Sequence, residues 1–158
     1  MQPLKDCPAS MLHRVKAVLT DIDDTLTSDG RLPAAPYAAM ERIEAAGLVL
    51  IPITGRPAGW CDHIARMWPV HAVVGENGAF WFRYDRTERR MYRHFSTPED
   101  VRRANAERLR AIAAEVLNEV PAARIAADQL YREADLAIDF CEDGPRLQGA
   151  DIERIVAL

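Results

Sequence analysis

The segment Asp21-Ile22-Asp23-Asp24-Thr25-Leu26-Thr27 concentrates three carboxylates and two hydroxyls in seven residues. It follows directly on Val15–Ile22, a short, mostly apolar, β-branched run with the texture of a buried strand. Carboxylates at i and i+2 in a loop entered from a strand can face one small volume. Keeping both ionised there costs like-charge repulsion unless a cation lies between them. An all-oxygen ligand set favours a hard ion, so Mg²⁺ is the expected occupant. An EF-hand loop is excluded, because the glycine position counted from Asp21 holds Leu26 and the bidentate glutamate position holds Leu32. Acidic residues also end strands as Asx-turns, so this motif needs a second one beside it.

That second motif is Ile53-Thr54-Gly55-Arg56-Pro57, at the end of another apolar run, Leu48–Thr54. A hydroxyl, a glycine that lets backbone approach closely, and free amides at a helix start make a phosphate cradle. Arg56 adds a fork-shaped charge matched to phosphate. A Thr-Gly pair alone is a common turn. Beside an acidic strand end it points to phosphoryl chemistry.

Positioning these motifs requires a particular order of elements. Pro36–Ala46 has apolar residues at helical spacing and stops at Gly47. Pro57 opens a helix that runs to about Trp68, and Val70–Val74 is a third apolar strand, ending at Gly75-Glu76-Asn77-Gly78. Strand, helix, strand, helix, strand predicts an α/β fold with a Rossmann-like, doubly wound parallel sheet. Sites in such sheets lie outside the carboxyl ends of the strands. Beyond Gly78, Ala79–Tyr84 and Arg90–Phe95 are aromatic-rich and close enough for a hairpin. Thr97 is expected to cap a helix with Pro98 in its first turn and Val101, Leu109, Ile112, Val116 and Val120 on one face. Asp135–Cys141 alternates as a half-exposed strand, and Ile152, Ile155 and Val156 begin a last amphipathic helix. Trp60, Met67 and Trp68 are expected to pack against the sheet.

The 158 residues, 49% hydrophobic and 28% charged, have ordinary globular composition and are enough for one domain with a core. A formal charge of -4 argues against a general nucleic-acid binder. Cys7, Cys61 and Cys141 are scattered, with no C-x-x-C pair, which fits a reducing compartment. No apolar run is long enough for a signal peptide or a membrane span, so a cytoplasmic protein is expected.

The three motifs together, DIDDTLT after an apolar strand, AAGLVLIPITGRP, and VVGENGAF, resemble the haloacid-dehalogenase-like phosphatases. Within them the chain is similar to class II, subclass B, where a large cap is inserted after the third strand. That group includes sugar-phosphate phosphatases and the related phosphomannomutases. The resemblance is tight over residues 15–82 and loose beyond. It implies a Mg²⁺-dependent phosphatase acting on a small phosphorylated metabolite, a sugar phosphate, through an aspartyl-phosphate intermediate. Asp21 is then the nucleophile, and Asp23 the acid for the leaving alkoxide and afterwards the base for water. The Asp21 side chain and the Asp23 backbone carbonyl become the metal ligands. Thr54 and the Gly55 amide hold phosphoryl oxygens, with Arg56 beside them and Asn77 approaching substrate. Asp24 stands where many members carry glycine and receives no role.

Two parts of that active site are not visible. The family's third motif supplies Lys or Arg, yet Lys5 and Lys16, the only lysines, both precede the second motif. For the fourth, acidic motif only Asp135 and Asp139 have a fitting spacing, on a segment better read as cap strand. The expected division is therefore 1–82, part of an incomplete core, and 83–158, the first part of an inserted α+β cap that the sequence does not finish. On that reading Val15–Ile22 is an apolar edge strand, covered by a homo-oligomer or a swapped dimer. The rival reading is a catalytically incomplete fragment or pseudo-enzyme that binds phosphate or a partner; a phosphomannomutase is a further alternative. Arg83, Arg86, Arg89, Arg90 and Arg93 make the hairpin basic, either as a solvated face or as a steering surface. Arg132 is a candidate for substrate contact.

Overall fold

The computed structural model describes Pro3 and residues 6–158, and Lys5 lies outside the described residues. After a single helical turn, α1 (Ala9–Leu12), the chain enters β1 (Ala17–Thr20), which pairs in parallel with β2 (Val49–Pro52). Ile53 bridges Val74 in parallel and so joins β3 (Val73–Gly75) to the same sheet. β4 (Phe80–Asp85) then runs antiparallel to β3, and β5 (Arg90–Phe95) antiparallel to β4. The α/β fold with a parallel sheet is thus in place. The aromatic hairpin extends that sheet: Phe80, Trp81 and Phe82 pair with Gly75, Val74 and Val73. Residue 82 therefore lies in the middle of β4.

Each crossover helix is set by local signals. α2 (Ala34–Ala45) ends where Gly47 adopts φ 71°. The Gly47 N–H donates to the Glu44 carbonyl and the Leu48 N–H to the Ile43 carbonyl, a Schellman closure that a left-handed glycine makes possible. In α3 (Ala58–Met67), Ala58, Cys61, Ile64 and Ala65 fall on one stripe and are buried. They meet Val73, Phe80, Phe82 and Ile22 in the main core. Phe80 stacks on Phe82 with centroids 4.4 Å apart, and Phe95 closes on Phe80 edge-on at 5.6 Å. Trp60 and Met67 lie on the opposite face of α3, 47% and 61% exposed, so of the three side chains expected against the sheet only Trp68 packs there.

α4 (Glu99–Glu119) is capped by Pro98 with no side-chain bond, and Thr97 sits one residue too early to serve. Its carbonyl instead accepts from Arg102 at 2.9 Å. A second cluster joins Val116, Val120, Ala123 and Leu147 to Ile152 and Ile155 of α5 (Gly149–Ala157). Between them, β6 (Arg124–Ile125) pairs antiparallel with β7 (Ile138–Asp139). The expected strand at 135–141 shrinks to those two residues for a clear reason. Gln129 binds the Asp135 carbonyl and the Ala137 N–H, while Asp139 turns the chain by accepting the N–H groups of Cys141, Glu142 and Asp143. β1 has no second neighbour among the described residues, and Leu19 on it is 61% exposed.

Gly75 shows how tightly the core closes under the site. A Cβ there would lie 2.3 Å from the Phe80 ring and 2.6 Å from Cys61 Sγ. Cys61 is fully buried, and that desolvation, reinforced by the Glu76 charge, pushes its thiol up to about 12. Gly75→Ala is expected to destabilise the protein by about 1–3 kcal/mol through overpacking, read as a lowered urea midpoint. An unchanged midpoint would contradict this packing.

Candidate active site

Ile22 fixes the acidic loop. Its side chain is 4% exposed, and its carbonyl accepts the N–H groups of Thr25, Leu26 and Thr27 at 3.3, 2.9 and 3.0 Å. That pin folds residues 23–26 into turns and leaves Asp21 and Asp23 flanking the strand end. Asp21 is exposed and accepts the Thr25 hydroxyl at 3.4 Å. Asp24 adopts φ 54°, a left-handed conformation that glycine enters freely and Asp tolerates, and its N–H is held by the Thr27 hydroxyl at 3.1 Å. Its place in the turn is thereby explained without any chemistry.

The phosphate-loop candidate lies across from it. Thr54 is 3% exposed, held by its N–H to the Val74 carbonyl and by its own carbonyl to the Asn77 N–H. The Thr54 hydroxyl accepts the Arg56 N–H at 3.0 Å. At Gly55 a Cβ would sit 3.1 Å from Asn77 Oδ1, so the glycine is what lets the Asn77 amide lie against the loop. Arg56 then reaches back to the acidic loop. Its Nη2 donates to Asp23 Oδ1 at 2.8 Å and its Nε to both Asp23 oxygens at 3.1 and 3.2 Å. Asp23 foremost, opposed by partial burial and helped by Glu142, pushes the guanidinium above its ordinary value and keeps it charged. Asp23, Arg56, Thr54 and Asn77 are thus joined in one hydrogen-bonded chain, with Gly55 in the loop between Thr54 and Arg56 and Asp21 two residues from Asp23 at the strand end.

Of the amides expected to be free at the start of α3, those of Ala58 and Trp60 are engaged. Ala58 N–H donates to Glu76 Oε1 at 3.0 Å, and the N–H groups of Trp60 and Cys61 return to the Pro57 carbonyl. Glu76 is 3% exposed and accepts three more backbone bonds, from Glu133 at 2.9 Å, Ala134 at 2.7 Å and Asp135 at 3.0 Å. Sequence reasoning missed this residue, because one acid before an Asn-Gly pair carries no periodic signal. Its run of left-handed φ values, 44° at Glu76, 56° at Asn77 and 99° at Gly78, is what turns the carboxylate inward.

Arg132, a candidate for substrate contact, is spent on structure. It donates to the Gly55 carbonyl at 3.1 Å, to Asp135 at 2.9 Å and to both oxygens of Asp128, with its side chain 9% exposed. Asp135 and Asp139 are correspondingly engaged, and the amides of Glu142, Asp143 and Cys141 hold the Asp139 carboxyl below its usual range. Glu142, in the turn held by Asp139, reaches Arg56 Nη1 at 2.8 Å. Within α3, Cys61 is core, while Asp62 pairs with Arg66 and Arg93.

The metal reading can be tested against these atoms. The exposed Asp21 carboxylate and the Asp23 carbonyl, which accepts no bond among the described residues, form an all-oxygen pair at one strand end. Mg²⁺ keeps several waters and is commonly held by one or two carboxylates plus phosphate oxygens, so the pair fits it. No third His, Cys, Asp or Glu joins them among the described residues.

A family model described as haloacid dehalogenase-like hydrolase matches residues 18–109, which include both motifs. The chain belongs to that family. Its fold is shared with a Thermoplasma acidophilum protein of known structure, at TM-score 0.64 and 18% identity over 89% of this chain and 55% of that one. It is also shared with an ATP-bound IMP-nucleotidase of Plasmodium falciparum, at TM-score 0.61 and 12% identity over 90% of this chain and 39% of that one. The chain therefore spans about half or less of the length of these structures. No curated protein matches its sequence. No helix among the described residues is long and apolar enough to cross a membrane.

Glu76→Gln places an amide NH₂ against backbone donors in a buried site. The substitution is expected to cost about 2–4 kcal/mol, the scale of lost charge-assisted bonds with orphaned partners. Urea unfolding of the variant measures it, and a loss below about 0.5 kcal/mol, the size of an ordinary surface change, would contradict the four-bond geometry.

Proposed function

We propose that this hydrolase is a Mg²⁺-dependent phosphatase acting on a small phosphorylated metabolite, a sugar phosphate, through an aspartyl-phosphate intermediate. The observation that carries the reading is the Arg56 link, which binds the carboxylate of the acidic loop to the Thr54–Gly55 loop at one sheet edge. Asp21 attacks phosphorus in line, the P–O bond to the leaving group breaks, and Asp23 gives that oxygen its proton. Asp23 then takes a proton from water as the water oxygen attacks the aspartyl phosphate. Inorganic phosphate leaves and Asp21 is restored. The Thr54 hydroxyl, the Gly55 N–H and the Asn77 amide hold the phosphoryl oxygens, and Arg56 supplies positive charge beside them. The Asp21 carboxylate and the Asp23 carbonyl would hold Mg²⁺, which when bound would neutralise charge developing on those oxygens.

A cavity of about 310 Å³ adjoins this edge, lined by Arg56, Trp60, Asp128, Tyr131, Asp139 and Glu142. Acids that accept from hydroxyls and aromatic faces that stack on a ring favour a polyhydroxylated leaving group there. The placement is cytoplasmic on this reading, and a second copy covers the open edge of β1. A second reading, a module that binds phosphate without turning it over, is favoured by one observation: Arg56 is already neutralised by Asp23 and Glu142.

Hydrolysis of an aryl phosphate with Mg²⁺, compared with Asp21→Asn, separates the two. Turnover that EDTA abolishes and Asp21→Asn lowers by about 10³-fold or more, the scale of losing a nucleophile, supports the phosphatase. A folded protein without turnover supports the binding module.

A further inference from the structure

Arg56 is satisfied from two directions. One edge of its fork, Nε and Nη2, makes three contacts with Asp23 between 2.8 and 3.2 Å. The remaining nitrogen, Nη1, makes a single bond of 2.8 Å to Glu142, 86 positions further along the chain. The guanidinium carbon also lies 4.9 Å from the centre of the Trp60 ring, which fixes the plane of the fork. Glu142 reaches it from an ordered turn, since the Asp139 carboxylate accepts the backbone N–H groups of residues 141–143.

A phosphoryl group held at Thr54 and Gly55 needs part of that fork, because an Arg offers its charge to phosphate through paired N–H groups. One carboxylate must then give way. Asp23 holds the fork by three contacts, whereas Glu142 holds it by one and its side chain is 62% exposed. We propose that Glu142 is a positioning residue that occupies the free arm of Arg56 and yields it to the phosphate of the substrate, and so sets how tightly the site takes phosphate. The inference rests on the phosphate-loop reading given above. It assigns Glu142 no contact with the reacting atoms; its effect passes through Arg56.

Binding of inorganic phosphate to the full chain, followed by calorimetry in EDTA at about 0.15 M salt, where charges more than about 8 Å apart are largely screened, tests it. Glu142→Gln is expected to tighten binding about two- to five-fold, the range set by an exposed ion pair. Asp143→Asn removes a neighbouring charge from the same cavity without touching Arg56, and is expected to leave affinity unchanged. In an Arg56→Gln background the gain from Glu142→Gln is expected to vanish. An equal gain in Asp143→Asn, or a gain that survives without Arg56, assigns the effect to diffuse charge and overturns the proposal. Phosphate binding that Glu142→Gln leaves unchanged or weakens overturns it too, with the phosphate loop intact. No phosphate binding by the wild type or any variant instead overturns the loop reading, and the proposal with it.

Discussion

One buried carboxylate organises the site. Glu76 accepts four backbone N–H bonds, one from the first residue of α3 and three from the consecutive residues 133–135. A carboxylate taken out of water is costly unless its lone pairs are filled, and these donors fill them. The same four bonds satisfy donors that would otherwise lack a protein partner at a helix start and in the half-buried bend at 133–135. Segments far apart in sequence are thereby fastened to the end of β3. Arg132, three residues before Asp135, is carried to the Gly55 carbonyl by that attachment, and Tyr131 comes to rest against Gly59, where a Cβ would stand 2.9 Å away.

Charge at the sheet edge is arranged around this frame. At the start of α3 the Ala58 N–H is taken by the protein's own Glu76 carboxylate, and the positive charge nearest the Thr54–Gly55 loop is the fork of Arg56. That fork spans the acidic loop and the turn at 139–143. One cation is thus shared between two carboxylates, Asp23 and Glu142, which ties the acidic loop and that turn to the same edge.

Much of the fold was legible because its segments repeat with a period. The apolar runs that became β1, β2 and β3, the stripe of α3 and the aromatic alternation of the hairpin each bury one face, and that burial selects the element. The same logic set the Asp21–Thr27 and Thr54–Pro57 segments at strand ends, and Arg56 does reach Asp23 across them; Asn77 was named only through the family resemblance. What escaped depended on tertiary partners. Glu142 looks like any acid in a turn until Arg56 is set beside it. Arg132 resembles a substrate contact until Asp128, Asp135 and the Gly55 carbonyl consume its donors. Thr97 has the chemistry of a cap, but Pro98 takes the position by its backbone angles alone. The strand expected at 135–141 lost most of its length to the Gln129 side chain, a competition no alternation pattern records.

Glu76 locks the start of α3 and residues 133–135 into one unit beside the Thr54–Gly55 loop. The direct test is hydrogen exchange of the Ala58, Glu133, Ala134 and Asp135 amides, read by NMR on the unmodified protein. All four are expected to exchange slowly, and 133–135 to open together with the α3 terminus. Fast exchange of 133–135 beside a protected Ala58 would contradict it, by showing that the later segment is not held to the site.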